Sequence, residues 1–259
     1  MVKVEKNRSF FKHFVIFLTI FTLSSCGSSA LFVKKVQGTQ ININEKTAET
    51  AAIETFIKPY RENVDKDMNT ILAVATKTFD KSGMWQTPMG NLLSDVVLLQ
   101  ANPIFFKREN KNIDVCLLNN GGIRANINKG DVSVRTAFEV MPFENTIIII
   151  SLKGNHIQEM ADFLISEKKP HPLAGMSFVA AKSGVATNIL IQGKPVDVNQ
   201  TYHIATSDYL ATGGDKMDFF KKASANYDID YKIRNALIDY FKAVDELPVS
   251  TAVRIQGEK

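Results

Sequence analysis

The apolar run 146–152, which contains four consecutive isoleucines, is the feature that most constrains the fold. β-Branched side chains lose rotamer freedom in helices and pack well on a pleated sheet. A continuous apolar run without polar alternation is typical of a strand that is covered on both faces. The run 113–118 has the same character. We therefore expect buried strands inside a layered domain.

The other periodic segments alternate between helix and strand. Thr87 followed by Pro88 predicts the start of a helix, and Asn102 with Pro103 predicts its end. The remaining predicted elements are helices over 48–67, from 154 onward and over 231–243, strands over 70–79, 176–180, 186–192 and 201–206, a short helix or turn over 132–140, and polar loops over 208–216 and around Asp228 and Asp230. The predicted fold class is α/β (α+β mixed), a mixed β-sheet flanked by helices.

A polar cluster follows the strand predicted at 113–118. Asn119 and a glycine pair lead to Arg124, and a second turn carries Phe143 and Asn145. Glycine lets the backbone approach a ligand closely, arginine presents a planar fork to phosphate or carboxylate, and an aromatic ring offers a face to a flat ring. The pattern favours a nucleotide pocket. The alternative is a tight turn, with Arg124 paired to a surface acid and Phe143 in the core.

The loop 207–215 has matching chemistry and also leaves a predicted strand. Tyr209 offers a second aromatic face, and Asp215 follows two glycines. Stacking contributes about 1–3 kcal/mol per base and tolerates different bases, while a carboxylate accepts hydrogen bonds from ribose hydroxyls. We therefore expect the two loops to form two walls of one pocket. The alternatives are core packing for Tyr209, and an Asx-type turn or a helix cap for Asp215.

The N-terminus predicts export. Basic residues precede an apolar stretch at 14–23, which is shorter than the ~20 residues that span a bilayer as a helix. Small residues flank Cys26 directly after it, as in a bacterial lipoprotein signal; an ordinary secretory signal or a short membrane anchor is the alternative. We expect a signal peptide over 1–25, lipidation at Cys26, a polar tether over 26–47 and one domain over 48–259. The protein would then be anchored to the bacterial membrane and face the periplasm.

Charge and cysteine content argue against two classes of site. The net charge is +4 and several lysines lie in the predicted signal, which gives no support for nucleic-acid binding. The two cysteines are Cys26 and Cys116, and the second lies in an apolar strand. Neither a disulfide framework nor a cysteine metal site is therefore expected.

Five motifs in this order resemble the C-terminal domain of the 5′-nucleotidase family, over roughly residues 70–243. The matching segments are 89–92, 119–124, 142–145, 152–154 and 209–215. The resemblance implies the fold of this C-terminal domain and a role in nucleotide binding. Position by position, it implies a base sandwiched by Phe143 and Tyr209, a base edge touched by Asn145, a ribose near Asn119, ribose hydroxyls held by Asp215, and phosphates facing Arg124.

Three departures from the family bear mostly on phosphate binding. The arginines expected upstream of the segment 89–92 are absent, and Lys81 stands there as a point charge instead of a fork. Tyr209 replaces a residue that is often phenylalanine, which changes polarity more than stacking. Lys216 replaces the glycine that usually follows Gly-Gly-Asp, and adds a cation beside the site.

The chemistry that the family implies belongs to a separate metallophosphoesterase domain. Such a site needs several histidines, aspartates and asparagines around two metals ~3.5–4 Å apart, whereas this chain has four scattered histidines. The tripeptide around His156 superficially resembles a metallophosphoesterase motif but lacks the accompanying Asp and His motifs. We predict no catalytic residue, metal or other cofactor in this chain.

Two functions are consistent with these residues. In the first, the chain recognises the nucleotide or nucleoside for a 5′-nucleotidase-type phosphohydrolase. A separately encoded metallophosphoesterase subunit then supplies the divalent metals and the hydrolysis. In the second, the chain is a stand-alone nucleotide- or nucleoside-binding lipoprotein without an enzymatic role.

Overall fold

The structure is a computed structural model that describes residues 5–23, 32–42, 44 and 50–258. It divides into two compact units, Met1–Ile53 and Glu54–Lys259. The predicted lipidation site, Cys26, and parts of the predicted tether lie outside the described residues. The first unit contains the helix α1 (Glu5–Leu23). Among the described residues, no helix combines the length and apolar character that crossing a membrane requires.

Helices and strands follow one another from Ala51 onward, as the mixed pattern predicts. The further helices are α2 (Ala51–Met68), α3 (Pro88–Glu109), α4 (Val134–Val140), α5 (Ile157–Glu167), α6 (Asp208–Ala211) and α7 (Ile233–Ala243). The strands are β1 (Ile71–Ala75), β2 (Val115–Leu117), β3 (Gly130–Ser133), β4 (Thr146–Lys153), β5 (Leu173–Ala174), β6 (Met176–Ala180), β7 (Ala186–Ile191), β8 (Lys194–Pro195), β9 (Thr201–Ser207), β10 (Ala225–Lys232) and β11 (Ile255–Gly257). Short 3₁₀ turns occupy Asn120–Gly122, Gly154–His156, Gly214–Lys216 and Asp218–Lys222.

A five-stranded mixed sheet forms the centre of this unit, in the order β10-β4-β9-β2-β5. β4 pairs antiparallel with both β10 and β9, whereas β2 runs parallel to β9 and antiparallel to β5. A second sheet has the order β11-β6-β7-β8, and β1 pairs with β3. The predicted class, a mixed sheet with flanking helices, is confirmed.

The isoleucine run lies in β4 and is covered on both faces, as predicted. Ile147 and Ile149 belong to one hydrophobic cluster, to which α3 and α7 contribute. Ile150 and Leu152 belong to a second cluster, to which α5 and the second sheet contribute. Successive side chains of a strand point to opposite faces, so an apolar run is required wherever both faces are covered.

Helix α3 begins where the sequence predicts but continues past its predicted end. The Thr87 hydroxyl accepts a hydrogen bond from the Gly90 N–H at 2.9 Å, and Pro88 occupies the first turn. The predicted stop at Asn102 and Pro103 is wrong, because the helix runs through Pro103 to Glu109. Phe105 beyond the proline is completely buried. Packing in the core therefore outweighs the cost of a proline within the helix, about 3 kcal/mol.

Two predicted loops contain regular structure instead. Residues 208–216 form α6 and a 3₁₀ turn, because the Ser207 hydroxyl caps α6 by accepting from the Leu210 N–H at 3.1 Å. Asp228 and Asp230 lie in β10 and not in a loop. β10 is an edge strand with an irregular register after Asp228, and both carboxylate-bearing residues are exposed, which explains their polar character.

Candidate functional site

Three strand ends bring the predicted site residues to one edge of the central sheet. β2 and β9 are parallel, so their C-terminal ends lie at the same edge, with Asn119 after β2 and Tyr209 after β9. β4 is antiparallel to β9 and pairs Ile147 with Ser207, so the residues before β4 meet the residues after β9. Segments far apart in sequence therefore converge on one place.

A cavity of about 370 Å³ opens where these segments meet. Its lining residues are Asn119, Gly121, Gly122, Phe143, Asn145, Tyr209 and Asp215. Five of the six predicted ligand-binding residues thus line one cavity. Phe143 and Tyr209 are 39% and 48% exposed, so their rings are available to a ligand. Core packing, the alternative for both rings, does not describe them.

Asp215 is tied to both walls of the cavity. Its carboxylate accepts hydrogen bonds from the Asn119 amide at 2.7 Å and from the Tyr209 hydroxyl at 2.9 Å. The Asp215 N–H donates in turn to the Tyr209 hydroxyl at 3.1 Å. The hydroxyl that distinguishes tyrosine from phenylalanine therefore does more than change the polarity of the ring. It holds the Asp215 carboxylate in place.

The glycines before Asp215 allow this loop to fold back onto Tyr209. Gly213 has a positive φ of 91°, a conformation that glycine adopts without steric cost. A Cβ on Gly214 would lie 2.6 Å from the Tyr209 ring and 2.6 Å from its carbonyl oxygen. A side chain there would displace the ring or the loop.

Asp208 is a member of the site that the sequence did not reveal. One of its carboxylate oxygens accepts from the Asn145 amide at 2.6 Å and from the Tyr209 N–H at 2.7 Å. It thereby joins the loop before β4 to the loop after β9. Its position next to Tyr209 carried no signal, since an acid in a predicted polar loop is ordinarily exposed to solvent.

Arg124 lies beside the cavity and does not line it. Its guanidinium carbon is 5.2 Å from the centre of the Phe143 ring, and its backbone N–H donates to the Val140 carbonyl at 2.9 Å. The side chain is exposed, and within the described part of the chain no acid forms an ion pair with it. The predicted alternative, a surface ion pair, is therefore not what the structure shows.

Lys81, which stands in the segment where the resemblance leads us to expect arginines, donates a hydrogen bond to the backbone. Its ammonium donates to the Ile123 carbonyl at 2.8 Å. His171 lies below the Asn119 turn, where its Nδ1 accepts from the Asn120 N–H at 3.3 Å. Burial lowers the pKa of His171 below its usual value, so the neutral ring is favoured.

Metal-ligating residues do not cluster within the described residues. No group of three or more His, Cys, Asp or Glu side chains there is arranged to hold an ion. His156, in its 3₁₀ turn, lies 4.0 Å from a Glu159 carboxylate oxygen. Cys116 is completely buried in β2, and burial raises the pKa of its thiol.

Comparison with known proteins gives relatives of this chain in sequence and in fold. It is 34% identical over 143 residues to "Protein UshA" of Escherichia coli (strain K12), covering 52% of this chain and 24% of the relative. It is 23% identical over 243 residues to an apyrase of Tabanus yao, covering 85% of this chain and 44% of the relative. Its fold matches a 5′-nucleotidase precursor of Thermus thermophilus, with a TM-score of 0.66 and 24% identity over 79% of this chain and 42% of that one.

The chain therefore spans less than half the length of each of these relatives. The family model described as 5′-nucleotidase, C-terminal domain, matches residues 63–222, which include the whole cavity lining. The matched segment covers more than half of the chain. The chain belongs to the 5′-nucleotidase family, because it matches the C-terminal domain of that family.

Proposed function

We propose that this protein recognises a nucleotide or nucleoside by clamping its base between Phe143 and Tyr209. The observation that carries the proposal is the cavity in which these two exposed rings share a lining with two amides and a carboxylate. Its volume of about 370 Å³ is within the range of small-molecule sites. The names of relatives in two Vibrio species, both 5′-nucleotidases, support a nucleotide as the ligand.

In this proposal each polar residue contacts a different part of the ligand. Asp215 keeps acceptor capacity on each carboxylate oxygen after its two contacts, so it can accept the ribose hydroxyls, with Asn119 beside it. Asn145, which is oriented by Asp208, faces the base edge. Arg124 is an exposed planar cation next to Phe143, which suits a phosphate on the solvent side.

Hydrolysis is assigned in this proposal to a separate polypeptide. A metallophosphoesterase subunit would dock on this protein, supply two divalent metals and release phosphate from the bound nucleotide, in nucleotide catabolism or salvage. The absence of a metal-ligating cluster among the described residues supports this division.

Binding of adenosine to the purified protein tests the clamp. We expect Phe143→Ala and Tyr209→Ala each to weaken adenosine binding by about 1–3 kcal/mol, or ~5- to 150-fold, as measured by calorimetry. Phe106→Ala is the matched control, because Phe106 is 48% exposed and lies outside the cavity lining. Unchanged affinity in the folded double variant would refute the clamp.

Phosphate release from AMP tests the division of labour. We expect the purified protein, stripped with chelator and reloaded with divalent metal, to release no phosphate. The complex isolated from membranes should release phosphate in a metal-dependent way. Robust activity of the protein by itself would contradict the proposal. A nucleoside-binding protein that co-purifies with no phosphoesterase would favour the stand-alone binding function.

A further inference from the structure

A buried arginine supports the loop that carries Phe143. Arg234 lies in the first turn of α7, is 6% exposed and does not line the cavity. One guanidinium nitrogen, Nη1, lies within hydrogen-bonding distance of three successive carbonyl oxygens of the loop. These are the carbonyls of Met141 at 3.4 Å, Pro142 at 3.1 Å and Phe143 at 3.4 Å.

The second terminal nitrogen of the guanidinium, Nη2, and the Phe138 ring complete the attachment, while the Nε has no hydrogen-bond partner among the described residues. Nη2 donates to the Glu144 carboxylate, which Lys232 also contacts. The guanidinium carbon is 4.1 Å from the centre of the Phe138 ring, in α4. One residue earlier in α7, the Ile233 N–H donates to the Asn145 carbonyl at 3.1 Å. Each residue from 141 to 145 is therefore bonded to the start of α7.

An arginine is needed for this set of contacts. A buried charge is tolerated only when it is well paired, and the planar fork of arginine reaches carbonyls and a carboxylate at once while its face lies on a ring. Lysine has one nitrogen and no planar face, so it can keep the charge but not the whole set of bonds.

We propose that Arg234 is a positioning residue for base recognition, acting through the backbone of residues 141–145. Through its contacts with three consecutive carbonyl oxygens, it sets the place of the Phe143 ring in the cavity before a ligand arrives. The inference rests on the proposed function, since it assigns Arg234 to the same site. Its effect on affinity comes from pre-organisation, without contact to the ligand.

The chain contains a matched control for the loss of a buried arginine. Arg254 is also 6% exposed and also bonds main-chain carbonyls and a carboxylate. Its guanidinium donates to the Leu173 and Asn91 carbonyls and to Asp95. Among the described residues, none of its hydrogen-bond partners belongs to the 141–145 loop or to the cavity lining. Arg254→Lys therefore reports the general cost of changing a buried arginine.

The experiment compares Arg234→Lys with Arg254→Lys. We expect both to lower Tm, but only Arg234→Lys to weaken adenosine binding, by about tenfold, and to speed amide exchange of the 141–145 peptide. Combined with Phe143→Ala, Arg234→Lys should cost little further affinity, because residues that act through one another are not additive. Glu144→Gln removes only the charge of the exposed partner of Arg234. We expect it to speed amide exchange of the loop and to weaken adenosine binding, as Arg234→Lys does. It therefore provides the test if Arg234→Lys does not fold.

Three results would overturn the assignment. These are equal losses of affinity in Arg234→Lys and Arg254→Lys, additive effects of Arg234→Lys and Phe143→Ala, and unchanged loop exchange in Arg234→Lys. Failure of the proposed function is distinguishable. If the wild-type protein binds no adenosine, the clamp is refuted, while the exchange of the loop still decides whether Arg234 holds it.

Discussion

Asp215 shows how a single residue joins backbone conformation to chemistry. Its φ of 50° lies in the left-handed region, which aspartate and asparagine tolerate better than other non-glycine residues. The hydrogen bonds to Tyr209 and Asn119 hold it there. In the proposed function this carboxylate accepts ribose hydroxyls. Because it already lines the cavity, it would do so without an ordering cost.

Asp215→Asn isolates the charge from the backbone, because asparagine adopts the same φ. Hydrogen bonds to a charged group contribute about 1.5–3 kcal/mol, so we expect adenosine binding to weaken by tenfold or more. The affinity for 2′,3′-dideoxyadenosine, which lacks the ribose hydroxyls, should change much less. Calorimetry with both ligands measures the difference. Equal losses of affinity for the two ligands would show that Asp215 does not bind the ribose hydroxyls.

At the scale of elements, the junction of β10 and α7 is joined to the 141–145 loop by two ion pairs. Glu144 contacts Lys232 at the end of β10 and Arg234 at the start of α7. Hydrogen bonds from these two cations lower the pKa of Glu144 from 4.5 to about 2. The carboxylate is exposed, so solvent screens the pair and its contribution is modest.

The depressed pKa of Glu144 predicts an acid-dependent loss of stability. A carboxylate with a lowered folded-state pKa stabilises fully above its unfolded pKa of 4.5, and this contribution disappears as the pH falls towards 2. The difference in Tm between the wild type and Glu144→Gln should therefore be constant above about pH 5 and shrink below it. Glu62→Gln is the control, since its pair with Lys58 is longer, at 3.8 Å, and exposed. A difference that does not vary with pH would contradict the assigned pKa.

At the scale of the whole molecule, the candidate site and the predicted export signal lie in different parts of the chain. The folded unit from Glu54 onward contains the cavity, whereas the sequence before it contains the predicted export signal. An exported lipoprotein could meet nucleotides in the periplasm, where a phosphohydrolase would release nucleosides for uptake. We propose this location from the signal alone.

Fractionation of cells tests the anchor. We expect wild-type protein in the membrane fraction and Cys26→Ser in the soluble periplasmic fraction, because a lipid chain supplies about 0.8 kcal/mol of membrane affinity per buried CH₂. Cys116→Ala is the control, since it removes the other cysteine and leaves the signal intact. Membrane association of Cys26→Ser equal to that of the wild type would exclude lipidation as the anchor.

Local pattern was sufficient for most elements and failed at particular places. The buried strand 146–152 and the start of α3 were predicted because β-branched runs and N-caps act over a few residues. The end of α3 was not predicted, because it depends on the packing of Phe105 against His203 and Tyr227, which are distant in sequence. The strand β10 was missed, because an edge strand with exposed acids has the composition of a loop.

The site divides in the same way. By itself the sequence determined the chemical types of the proposed ligand-binding residues and the positions of the turns that carry them, since glycines, amides and aromatics act through local geometry. Only the tertiary structure decided that Asn119 meets Asp215, 96 residues later, that Arg124 lies beside the cavity, and that Asp208 and Arg234 hold the loops. These contacts follow from the order β10-β4-β9-β2 in the sheet, which places the ends of four strands at one edge. Strand order is set by the packing of the whole core, and no local pattern records it.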